Sequence, residues 1–195
     1  IDNSAGVDMS DHEVNLKILL DRVVERGELN VKERNETLAK MTEEVATLVM
    51  KNNDAHGRQI SRDTIRSKKD IFQFGRAIAF IERTFGVTRD ELSLPDHHEL
   101  RQRAEANEGL TRPELAVLGA WVKMYVYQQL MAGAPKKTPG YKRMLHGYFP
   151  KHIQEDYATD IDKHMLANEI AMTVATTDVV ADAGAAFIPI MIETT

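Results

Sequence analysis

Asn3-Ser-Ala-Gly-Val-Asp-Met-Ser-Asp-His-Glu-Val-Asn15 runs directly into Leu16-Lys-Ile-Leu-Leu-Asp-Arg-Val-Val-Glu-Arg26, and the rest of the chain is read outward from this stretch. Leu16, Leu19, Leu20 and Val23 recur at the spacing of one helix face, and Gly27 follows where helices commonly place a terminating glycine. Val14, Ile18 and Val24 widen the apolar face, so the helix is expected to be buried on more than one side. Ser10 with Glu13 three residues later is a capping box, which predicts a helix beginning at Ser10 after a glycine-bearing turn at Gly6. Small polar side chains and free N–H groups would converge there, a geometry that suits a carboxylate. The simplest function of such a box is to cap its helix and nothing more.

Helical signals continue through the chain. Residues 31–40 are charged and helix-prone; Thr42 can cap the next helix, with Val45, Leu48 and Val49 as its inward stripe. Residues 52–61 turn polar and read as a loop. Ile71, Phe74, Ile78, Ile81 and Phe85 mark a strongly amphipathic helix ended by Gly86. Thr88 with Glu91 is a second capping box, opening a short helix broken at Leu94-Pro95-Asp96. Asp96 then caps a charged helix to about residue 107. Thr111 with Glu114 is a third box, with Pro113 in the first turn, where its missing N–H costs nothing. Leu115, Leu118, Val122, Val126 and Leu130 form that helix's stripe, flanked by Trp121 and Tyr125. Residues 133–140 read as a loop, Tyr148-Phe149-Pro150 as the aromatic close of a short helix, 160–176 as a long helix and 178–183 as a short one. No period-two alternation of β-branched residues occurs, so the expected class is all-α, nine or so helices in a multi-helix compact domain.

Composition narrows the function. The 195 residues are 43% hydrophobic and 28% charged, the balance of a globular chain. Net charge is −5, with basic residues scattered among acidic ones, which argues against a nucleic-acid binder. The longest apolar run, Ala185-Ala-Phe-Ile-Pro-Ile-Met-Ile192, is broken by Pro189 and falls short of the ~20 residues that span a bilayer. No membrane partner and a cytoplasmic location are therefore expected. The absence of cysteine removes disulfides, thiolate chemistry and cysteine-based zinc sites.

The opening stretch resembles the Asn-Ala-Gly-Gly-Val-x-x-Ser-x-x-Glu segment of glutamate dehydrogenases. It is more similar to the version in the very large bacterial NAD-specific enzymes, Asn-Ser-Ala-Gly-Val-Asp-x-Ser-Asp-His-Glu-Val-Asn. Ser4 and Ala5, which depart from the smaller enzymes, agree with the larger ones. Leu110-Thr-Arg-Pro-Glu-Leu-Ala-Val-Leu118, Tyr148-Phe-Pro150 and His164-Met-Leu-Ala-Asn-Glu-Ile170 resemble the C-terminal region of the same family, in the same order. The resemblance implies a C-terminal piece of a longer polypeptide: residues 1–26 ending the catalytic domain and continuing from a nucleotide-binding domain, residues 27–195 forming a C-terminal helical domain. It implies oxidative deamination of L-glutamate to 2-oxoglutarate and ammonia with NAD. Asn3 would lie near the nicotinamide, Val7 would pack on the substrate methylenes, and Ser10 would bond the side-chain carboxylate. The acid–base lysine and aspartate and the glycine-rich dinucleotide turn would lie upstream, since the chain holds no Gly-x-Gly-x-x-Gly. The piece alone is expected to be inactive and the whole protein a homo-oligomer, the helical part contacting the rest of its own polypeptide.

Other assignments compete. A non-catalytic helical interaction module would use Ser10 only as a cap and expose an apolar patch to a protein partner. A metal-dependent hydrolase would draw on Asp8, Asp11, His12 or His97-His98-Glu99, but no His-Glu-x-x-His is present and solvated helix surface is the expectation, with no metal site. His164 is expected to pack or hydrogen-bond, Arg112 and Glu114 to fix a helix entry or pair between domains, and Tyr148 and Phe149 to be core.

Overall fold

In the computed structural model, residues 2–133 and 138–194 are described, with side chains over 6–133 and 138–193. They form eleven helices: α1 (Asp2–Glu25), α2 (Val31–Lys40), α3 (Thr42–Lys69), α4 (Ile71–Phe85), α5 (His97–Glu105), α6 (Arg112–Gly133), α7 (Pro139–Tyr148), α8 (Lys151–Asp156), α9 (Ala158–Asp162), α10 (Ala167–Ala183) and α11 (Phe187–Thr194). Among the described residues there is no strand, and the all-α class holds. The chain divides into two compact units, residues 1–54 with 131–175 and residues 55–130 with 176–195.

The first unit is built on α1. Leu16, Leu19, Leu20 and Val23 are all buried, with Met41, Val45 and Val49 from α2–α3 and Leu145, Phe149, Ile153 and Ile161 from the later helices. Gly27 takes the left-handed conformation after α1, and its N–H donates to Val24 O. Val14 is exposed, so the burial expected on a second side does not reach it. The predicted helix start at Ser10 is corrected by the structure. α1 is already helical from Asp2, and the Ser10 hydroxyl donates back to Gly6 O at 3.0 Å instead of capping. Glu13, the other half of the expected box, pairs with Lys17 at 2.5 Å. The reason lies in the inward stripe, which continues upstream through Asn15, His12 and Asp8 as polar residues that an apolar-periodicity count does not see.

The second unit holds a contiguous apolar core from α4, α5 and α6, including Phe74, Ile78, Ile81, Leu100, Leu115, Leu118 and Val122, with Val180, Ala185 and Ala186 packed on it. Asp70 caps α4 by accepting from Gln73 N, and Asp96 caps α5 by accepting from Glu99 N at 2.7 Å. Thr88 and Glu91 exchange both bonds of a capping box, yet only a turn follows, ending at Ser93 with φ 53°. The predicted loop over 52–61 is a second correction: α3 runs straight through it. Its buried face there is polar, with Gln59, Asp63 and Ser67 all buried at helical spacing. Gln59 donates to Asp63 at 2.8 Å, and Asp63 accepts from Ala185 N at 2.8 Å. Ser67 accepts from Leu110 N at 3.0 Å, and a Cβ on Gly109 would lie 2.5 Å from the Ser67 hydroxyl.

The predicted helices over 160–176 and 178–183 are also redrawn. α9 ends at Asp162, and α10 starts at Ala167 and runs unbroken to Ala183. His164 interrupts because its buried ring accepts from Leu166 N at 3.1 Å, setting a new helix start. Part of the loop predicted over 133–140 lies outside the described residues; α7 begins at Pro139, capped by Thr138.

Gly184, between α10 and α11, has φ +91° and would carry a Cβ 2.5 Å from the Asp63 carboxylate. Gly184→Ala should therefore destabilise the chain by about 2–3 kcal/mol, combining left-handed strain with disruption of a buried acceptor. Gly57, inside α3 with open space around its Cα, is the control: Gly57→Ala should stabilise by about 0.5–1 kcal/mol. Urea midpoints of the two variants check both signs.

Candidate functional site

The first half of α1 is two-faced. Asp8, His12 and Asn15 lie at i, i+4 and i+7 on the side facing the first unit, with His12 and Asn15 buried. Val7, Ser10 and Val14 lie on the opposite side, where Val7 is 65% and Val14 53% exposed and Ser10 is exposed. The structure thus brings Val7 and Ser10 together on one free face. The Asn3 side chain lies outside the described residues.

Tyr148, at the end of α7, is the hub of the inward face. Its hydroxyl donates to Asp11 Oδ2 at 2.7 Å and accepts from Asn15 Nδ2 at 2.9 Å. The His12 ring stacks on the phenol with centroids 4.1 Å apart and planes 17° from parallel. Asn52 donates to Asp8 at 3.0 Å. On the Asn15 backbone, His164 closes the arrangement: its Nδ1 accepts from Leu166 N, so its Nε2 carries the proton and donates to Asn15 O at 3.1 Å. Three of the four stretches singled out in the sequence therefore meet in one buried cluster. His164 and Phe149 are packed as expected; Tyr148 is core and also a polar hub, which its aromatic character alone did not reveal.

Burial governs the protonation states. It pushes the Tyr148 phenol up, reinforced by the bond to Asp11, so the hydroxyl stays a donor. It holds the His12 imidazole below the usual histidine range, outweighing the raising pull of Asp8 and Asp11. His12 Nε2 sits 3.9 Å from Asp8, too far for a hydrogen bond, and His12 Nδ1 and Asn15 Oδ1 are buried without partners. Burial lowers His164 as well, with Arg22 adding to it.

An open groove of about 340 Å³ runs beside the free face, lined by Met9, Ser10 and Glu13 of α1 and by Leu38, Thr42 and Val45. The fourth stretch serves the second unit: Glu114 binds Arg103 through both carboxylate oxygens at 2.7 and 2.8 Å and accepts from Thr111 N at 2.7 Å. Arg112 donates to Ser61 at 3.0 Å. Both residues fix the entry of α6 within one unit. His97, His98 and Glu99 gather no metal site, and among the described residues no group of three or more His, Asp or Glu could hold a metal ion.

Residues 1–63 match a model of the bacterial NAD-glutamate dehydrogenase catalytic domain, and residues 107–195 match a model of the glutamate dehydrogenase C-terminal region. A protein of Halomonas elongata named NAD-specific glutamate dehydrogenase is 36% identical over the whole chain, which covers 12% of that relative. Proteins of the same name from Mycobacterium tuberculosis and Pseudomonas aeruginosa are 36% and 35% identical over 94% and 100% of the chain, covering 11% and 12% of theirs. The chain belongs to the bacterial NAD-glutamate dehydrogenase family, within its C-terminal region.

The two histidines make stability pH-dependent. Each has a folded pKa below its unfolded value near 6.5, so the unfolded chain binds protons that the folded chain refuses. Their contribution is complete above about pH 6.5 and is lost as the pH falls through that value. The urea midpoint should therefore drop between pH 7.5 and 5.5, and His12→Phe, which keeps the ring on Tyr148, should flatten that drop.

Proposed function

We propose that this chain supplies one wall of the substrate site in an NAD-dependent glutamate dehydrogenase, with the boundary of the catalytic part at the end of α1. The single observation that carries this is the two-faced α1: its inward face is bound down by Tyr148 and Asn52, while Val7 and Ser10 stand exposed one turn apart. In the whole protein Val7 covers the methylenes of L-glutamate and Ser10 bonds its side-chain carboxylate. The Ser10 hydroxyl, which donates to Gly6 O here, turns to the carboxylate for a charge-assisted bond roughly twice as strong as a neutral one. Asn3 is assigned to the nicotinamide side of the same helix end. The chain carries no Gly-x-Gly-x-x-Gly, so the dinucleotide is held elsewhere in the protein. Bound elsewhere in the protein, NAD would supply the hydride acceptor for oxidation at the α-carbon of L-glutamate, the overall reaction with water giving 2-oxoglutarate and ammonia. The helical remainder braces the catalytic domains or joins subunits of a homo-oligomer.

Because Ser10 lies inside a helix, its site role can be separated from stability by one substitution. Ser10→Ala loses no cap, and helix propensity favours it by a few tenths of a kcal/mol, so the melting temperature should hold or rise slightly. In the full-length enzyme KM for glutamate should rise about tenfold to a hundredfold, the equivalent of one hydrogen bond to a charged group. Ser10→Asp, which sets a negative charge against an anionic substrate, should raise it further. An unchanged KM in both variants with folding intact contradicts the assignment.

A further inference from the structure

Resting on the functional reading above, we propose that Tyr148, with Asp11 and His12, is a positioning device for the glutamate site: it fixes the rotation of α1 about its own axis, so that Val7 and Ser10 face outward together. Hydrophobic burial holds α1 directly from Leu16 to Val23 and reaches its first half only through the helix backbone. The apolar residues there, Val7, Met9 and Val14, are all exposed, at 65%, 39% and 53%. What holds that half is directional. The phenol of Tyr148 takes Asp11 on one side at 2.7 Å and Asn15 on the other at 2.9 Å, and carries the His12 ring on its face at 4.1 Å. Asn52 adds a bond to Asp8 one turn upstream.

A helix turns by about 100° per residue, so a slip of a single position would swing Ser10 off the exposed face and bury it or Val7. The apolar stripe further along α1 resists such a slip through the burial it would lose, and the two hydrogen bonds and ring stack on one side chain add a directional restraint beside the site itself. The arrangement also leaves His12 Nδ1 and Asn15 Oδ1 buried without partners, a desolvation cost that an apolar seam would not carry. Tyr148 touches neither Ser10 nor Val7 among these contacts. It acts through α1, from the end of α7, more than a hundred residues along the chain.

The test uses the full-length enzyme. Tyr148→Phe keeps the ring and the stack and removes both hydroxyl bonds. Asp11→Ala removes the acceptor from an exposed position and leaves the ring, its stack and the Asn15 bond in place. Ile153→Val is the control, a fully buried residue of the same unit whose side chain carries none of these polar bonds. We expect Tyr148→Phe and Asp11→Ala to raise KM for glutamate at least about fivefold, with kcat changed less, roughly what the loss of one hydrogen bond allows. Ile153→Val should lower the melting temperature and leave KM alone. Should Tyr148→Phe fail to fold, Asp11→Ala decides by itself. If Ser10→Ala raises KM but neither Tyr148→Phe nor Asp11→Ala does, the positioning role is overturned and the substrate assignment stands. If Ser10→Ala leaves KM unchanged, the substrate assignment falls first.

Discussion

One hydroxyl group ties the beginning of this chain to its later helices. The Tyr148 phenol sits between a carboxylate that accepts its proton and an amide that donates to its oxygen, under a histidine ring that covers its face. The side-chain bonds that hold the first half of α1 gather at that group, with the Asn52–Asp8 bond beside it and His164 on the Asn15 carbonyl. Burial keeps the phenol protonated and the histidine neutral, so the cluster holds no net buried positive charge near neutral pH. It is a lock built from neutral donors on a helix whose opposite side is left open.

The second unit uses the same division of labour. Its stability comes from the apolar core around Phe74, Ile78, Leu115 and Leu118, each such side chain worth about 1.5–3 kcal/mol on burial. Its geometry comes from a polar line along α3. Asp63 receives the backbone N–H of Ala185 and the amide of Gln59, Arg66 donates to Ala183 O, and Ser67 receives Leu110 N. These contacts set where α10 turns into α11 and where the chain enters α6. Glu114 and Arg103 complete that entry with a two-pronged ion pair at low exposure.

What could be read in the sequence follows from this. Helices organised by apolar residues were legible: α4 from Ile71 to Phe85 with Gly86 at its end, α5 from its Asp96 cap, α6 from its stripe. Helices organised by buried polar residues were not. Residues 52–61 look like a loop because their inward face continues into Gln59 and Asp63, and Ser10 looks like a cap because the residues that extend the stripe above it are Asp8, His12 and Asn15. His164 broke a helix through its ring nitrogen, an effect invisible to periodicity. The site fared similarly. Motif resemblance found the stretches that meet in the cluster, while the fact that Tyr148 joins them is a matter of three dimensions. Polar residues at helical spacing upstream of the Leu16 stripe, Asp8, His12 and Asn15, were the available signal.

The central claim is that the outward face of α1 forms part of a glutamate site. The most direct measurement is a structure of the full-length protein with NAD and 2-oxoglutarate bound. The account predicts the Ser10 hydroxyl at about 2.5–3.0 Å from the ligand's side-chain carboxylate, with Val7 against its methylenes and the Tyr148–His12 stack unchanged beneath. A ligand bound elsewhere, with Ser10 still donating to Gly6 O and Val7 in solvent, would contradict it.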